Sequence, residues 1–128
     1  MQYEYFYGAQ AEQFSFYRIP KALFTEPNFR ELSTDAKVLY GILLDRMSLS
    51  LKNQWIDAQN KVYIIFTVDE IMDALNCANQ KATRLMVELE KRAGLIERKR
   101  QGLGRPNLIY VKNFAATING KSCEKADS

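Results

Sequence analysis

Between Asn79 and Arg105 the chain collects side chains that donate hydrogen bonds and neutralise polyanions. Asn79, Gln80, Thr83 and Arg84 are spaced so that one turn of helix brings them together, with the 79/83 and 80/84 pairs on neighbouring rungs. Arginine pairs with the O6 and N7 of guanine, and asparagine or glutamine with the N6 and N7 of adenine, so this set suits readout of base edges. Lys81 and Lys91 flank it as phosphate contacts, which set register without reading sequence. Further on, Arg98, Lys99, Arg100 and Arg105 bracket Gly102 and Gly104, an arrangement suited to phosphate and groove contacts because missing side chains let the backbone approach closely. The Gly-x-Gly is not a nucleotide loop, since it separates two strands and opens no helix.

What the chain lacks is equally informative. It has no histidine, so the commonest general base and the commonest zinc ligand are both missing. Cys77 and Cys123 show no CxxC spacing, and Cys77 reads as an apolar filler in a turn. These absences lead us to expect no catalytic site, no metal and no cofactor. With 128 residues, 47% hydrophobic and 26% charged, the chain has the size and composition of one folded domain. The start, Met1 to Tyr7, has no basic segment followed by an apolar one, and no apolar run approaches the ~20 residues of a membrane span. A cytoplasmic protein with no membrane partner is expected.

The net charge is +3, unevenly distributed: residues 79–112 hold nine basic and three acidic side chains, a local +6. A cationic third on a mildly acidic body suits a surface presented to a polyanion. Solvation of a helix and an edge hairpin would use the same residues, so the elements must decide.

Phe14 to Ile19 reads as a short strand ended by Pro20, and Ala22 to Phe24 as a turn of helix. Ser33-Thr34-Asp35 caps a helix over about 34–50, with Ala36, Leu39, Tyr40, Leu43, Leu44 and Met47 on one face. A polar connection with a brief strand at Trp55-Ile56 leads to a buried strand at Val62 to Phe66. Thr67-Val68-Asp69-Glu70 fits a capping box for a helix over 68–75. After the turn Asn76-Cys77-Ala78, Asn79 is expected to cap a helix over about 80–92, buried through Ala82, Leu85, Met86 and Leu89 and stopped by Gly94. Leu95–Arg100 and Leu108–Val111 form a hairpin whose tip is the wing, about 98–107.

This order predicts an α+β winged helix-turn-helix, with a three-helix core, a small antiparallel sheet and a basic wing hairpin. The second helix of the turn motif exposes Gln80, Arg84, Val87 and Lys91, and the hairpin extends that surface along a duplex. The domain is expected over 14–114, between an aromatic extension at 1–13 and a tail or linker at 115–128. Tyr5, Phe6, Tyr7, Phe14, Phe16 and Tyr17 are more rings than a short edge needs, and we read them as a self-association surface of a homodimer. Double-stranded DNA is the expected partner. A transcriptional repressor and a protein-interaction module share the fold; promoter palindromes would mark the first, and failure to bind duplex the second.

Several blocks resemble a known family: Phe14 to Phe24, Leu32 to Tyr40, Leu44 to Ser50, Trp55-Ile56-Asp57, Asn79-Gln80-Lys81-Ala82 and Gly94 to Asn107. They are similar to the N-terminal domain of replication initiator protein A, from plasmids and integrative elements of Gram-positive bacteria. The likeness covers about residues 13–114. One departure is Lys91-Arg92-Ala93-Gly94, one residue longer than the usual run into the glycine. The resemblance implies a winged-helix domain that binds repeated sites at a replication origin and self-associates there. It also implies that host replication proteins are engaged only through a C-terminal domain absent from this chain.

Overall fold

The structure is a computed structural model that describes residues 2–8 and 13–115. The long helix at its centre is α2, Thr34–Arg46. Its start is set by Ser33, whose hydroxyl accepts from the Ala36 amide at 3.1 Å, while Asp35 adds negative charge at the positive helix end. The short α1, Ala22–Thr25, precedes it, and a 3-10 turn at Met47–Leu49 continues it, so the periodic stretch to residue 50 is regular α-helix only as far as Arg46.

α3, Val68–Leu75, occupies its expected span, and its capping box is formed in full. The Glu70 amide donates to the Thr67 hydroxyl at 3.2 Å, and the Glu70 carboxylate accepts from the Thr67 amide at 2.9 Å. Asn76 ends α3 in the left-handed region at φ 53°, turning the chain within three residues into α4, Asn79–Val87. Ala78, not Asn79, is the N-cap residue, and Asn79 is the first helical residue. Its side-chain oxygen accepts instead from the Thr83 hydroxyl, one turn on, at 3.5 Å.

The chain continues from α4 as a π-helical turn, Glu88–Arg92, with the Ala93 amide donating to the Glu88 carbonyl at 3.2 Å. An added residue in an α-helix would rotate everything beyond it by about 100°. The wider turn absorbs one residue locally, so Leu89 and Leu95 both stay buried on either side of Gly94, which reverses the chain at φ +66°.

Three strands form one antiparallel sheet in the order β1-β3-β2: β1 is Ile64–Ile65, β2 is Ile96–Lys99 and β3 is Leu108–Val111. Ile64 faces Ile109, and Arg98 also faces Ile109 from the other side. The strand expected at 62–66 is shorter because Val62 leaves the sheet to make an isolated bridge with Ile56. Asp57 tightens the intervening turn by accepting from the Gln59 and Lys61 amides at 2.9 and 2.8 Å.

Phe14 to Ile19 is not a strand. It crosses α2 at Gly41, where a Cβ would lie 2.9 Å from the Arg18 carbonyl oxygen and 2.8 Å from Ile19 Cγ1. Backbone laid on a helix leaves no strand to pair with, which overrides the aromatic β-preference of this segment. Leu23, Leu39, Leu43, Ile64, Ile71, Leu85, Leu89, Ile96 and Ile109 form the core between the helices and the sheet. Tyr40, 2% exposed, donates to the Lys112 carbonyl at 2.7 Å and ties α2 to the end of β3, and burial pushes its hydroxyl up to about 12. Cys77 is half-buried against the core, whereas Cys123 lies outside the described residues.

Candidate nucleic-acid interface

The buried stripe of α4, Ala82, Leu85 and Met86 with Leu89 beyond it, fixes which side of the helix faces out. Asn79, Gln80, Thr83, Arg84, Val87 and Lys91 lie on that outer side and are exposed. Two contacts at the edge of the stripe, seven residues apart, fasten α4 to the start of α2. Lys81 pairs with Asp35 at 2.7 Å. The Glu88 carboxylate accepts from the Ser33 amide, and from the Ser33 hydroxyl at 2.9 Å. A carboxylate there also meets the positive end of the α2 dipole. Lys81, expected as a phosphate contact, therefore carries an ion pair, though with 43% of its side chain still accessible.

The wing is attached to the same helix. Glu90, in the π turn, accepts three hydrogen bonds from Arg98 of β2: from the backbone amide at 3.0 Å, Nε at 3.0 Å and Nη2 at 2.8 Å. Burial pushes the Glu90 carboxyl up, but the Arg98 amide and guanidinium outweigh it and hold the group below its ordinary value. Arg98, expected to face nucleic acid, spends its guanidinium on this bond. Strand parity carries the reason: Arg98 shares its face with buried Ile96, whereas Lys99 shares the exposed face of Glu97. In the sequence Glu88 and Glu90 are two acids within a cationic stretch, and no local pattern links either to its partner.

Lys99, Arg100 and Arg105 are exposed, as are Arg84, Lys91 and Arg92, and among the described residues none of these six forms an ion pair. The wing loop bends back toward the helices: Arg98, Arg105, Pro106 and Asn107 share a cleft with Val68 of α3 and Met86 of α4. Tyr5, Phe6, Tyr7, Phe14, Phe16 and Tyr17 are all exposed, and Phe6, Phe14 and Phe16 meet edge to face at centroid distances of 5.9 and 6.2 Å. Among the described residues no cluster of histidine, cysteine, aspartate or glutamate could hold a metal, and no helix is long and apolar enough to cross a membrane.

The arrangement of α3, α4 and the hairpin is a winged helix, and residues 15–125 match the family model of the replication initiator protein A N-terminus. The chain belongs to that family. A solved structure described as the N-terminal domain of a DNA-binding protein is 35% identical with a TM-score of 0.72, covering 99% of this chain and 98% of its own. A Rep–DNA complex is 38% identical with a TM-score of 0.72, over 86% of this chain and 84% of its own. The structure of an MDR initiator is 40% identical with a TM-score of 0.71, over 98% and 99%. A 41 kDa protein of Lactobacillus helveticus is 34% identical over 103 residues, 80% of this chain, which spans 28% of that relative's length.

Proposed function

We propose that this family member is a non-enzymatic, sequence-specific double-stranded DNA-binding domain of a replication initiator, acting at repeated origin sites. One observation carries the reading: the π turn that continues α4 and the root of the wing are bound to each other through Glu90 and Arg98, while Arg84, Lys99, Arg100 and Arg105 stay exposed and unpaired among the described residues. A rigid body with one cationic side is suited to docking along a duplex. The similar structure described as a Rep–DNA complex supports the same partner.

In this reading residues 14–114 are the binding unit, and α4 enters the major groove. Asn79, Gln80, Thr83 and Arg84 read base edges, because residues in the first turns of a recognition helix come nearest to them. Lys91, Lys99, Arg100 and Arg105 contact phosphate or the adjoining groove, with Lys81 contributing from its pair with Asp35. Arg98 acts by positioning the wing. Tyr5, Phe6, Tyr7, Phe14, Phe16 and Tyr17 form the self-association surface of a homodimer, and host replication proteins are engaged outside this domain.

The test is a titration of duplex DNA at several salt concentrations. Neutralising about five phosphates per protomer gives a log–log slope near −4 to −5. A flat salt response refutes the polyanion surface. Footprinting on the domain's own replicon should find direct repeats, and a promoter palindrome in their place would point to repression.

A further inference from the structure

Leu103 is the most exposed large hydrophobic residue of the described chain, with 105% of its reference area accessible, and it stands at the apex of the wing loop, between Arg100 and Arg105. An isolated exposed leucine is ordinary; its mounting here is not. Gly102 and Gly104 flank it at φ +120° and +78°, conformations that side-chain-bearing residues rarely adopt. The loop is braced beneath it: the Arg105 amide donates to the Gly102 carbonyl at 3.3 Å, and Gln101 Nε2 donates to the Pro106 carbonyl at 2.7 Å. A braced loop with one apolar side chain on its three apical residues is slender and holds that side chain away from the fold.

We propose that Leu103 is a minor-groove probe which makes the wing prefer A·T over G·C base pairs. The inference rests on the DNA-binding reading above. With α4 in a major groove, the groove reached across the next phosphate strand is the minor one, about 6 Å wide, which admits a thin loop and excludes a helix. Arg100 and Arg105, close to the apex in sequence, can meet the phosphates on its rims. An apolar side chain on the groove floor packs against the smooth edge of A·T pairs. At a G·C pair it meets the guanine N2 amino group, which it would strip of water and leave without an acceptor.

The experiment uses a 30-base-pair duplex selected from a random pool by the whole chain, with the wing-side pairs then made A·T, G·C or inosine·C. Inosine removes the minor-groove amino group and keeps the major-groove edge of guanine. Wild type should bind the A·T and inosine·C duplexes alike and the G·C duplex about tenfold more weakly, the scale of burying one leucine. Leu103→Ala should erase that difference with the salt slope unchanged, and Leu103→Lys should raise overall affinity without restoring it. Both variants change a fully exposed side chain, and melting curves check their folding. Equal affinity of wild type for all three duplexes, or discrimination that survives in Leu103→Ala, overturns the inference and leaves the DNA-binding reading standing. Absence of salt-dependent duplex binding by wild type overturns both.

Discussion

Replacing Glu90 by glutamine removes the charge that joins the recognition helix to the wing and keeps its shape. The carboxylate accepts three hydrogen bonds of 2.8–3.0 Å from Arg98, and the side chains of Arg98 and Glu90 are only 25% and 16% accessible. A fully exposed pair would contribute about 0–1 kcal/mol, and breaking a fully buried one would cost about 3–5. Partial burial places Glu90→Gln between these limits, at about 1–2 kcal/mol, or roughly 5–10 °C in Tm for a domain of this size. The pH dependence identifies the cause. Because the folded state holds the Glu90 carboxyl below its ordinary value, its contribution is fully present above the unfolded value near 4.5 and fades as pH falls through the folded one. Urea melts of both proteins at pH 7 and pH 3 should therefore differ more at the first than at the second. A difference of the same size at both pH values would mean that packing, not charge, is lost, and no difference at pH 7 would refute the anchoring role.

Arg84→Ala should cost about 1–3 kcal/mol of DNA affinity and relax preference at one base pair, whereas Lys99→Ala should weaken all duplexes alike and reduce the salt slope by about one; binding-site selection with each variant separates the two. Gly41→Ala should destabilise the fold by about 1–3 kcal/mol in denaturant titrations, because the new Cβ meets the Arg18 backbone oxygen at 2.9 Å, which cannot move without displacing the N-terminal crossing. Tyr40→Phe should cost about 1–2 kcal/mol by leaving the Lys112 carbonyl without its donor. In wild type, ultraviolet titration should show one tyrosine silent until near pH 12. Stability should fall between pH 10 and 12, because there the unfolded chain has ionised that tyrosine and the folded one has not.

Local codes determined much of this protein before any packing. The Thr67–Glu70 capping box, the Ser33 cap and the apolar stripe of Ala82, Leu85, Met86 and Leu89 are interactions between residues three or four apart, so spacing alone placed α3, the start of α2 and the outward face of α4. The glycine-rich basic hairpin was legible because its turn residues stand directly between two short strand segments that are neighbours in the chain. Tertiary structure decided whatever depends on a distant partner. Phe14–Ile19 has the composition of a strand and became a crossing over Gly41, because its backbone packs on α2 instead of beside either edge strand of the sheet. Arg98 resembled its cationic neighbours in type and was turned inward to Glu90, just as Lys81 was drawn to Asp35 and Glu88 to Ser33. Charge type is written residue by residue, whereas the pairing of charges depends on where the folded backbone brings segments far apart in the chain.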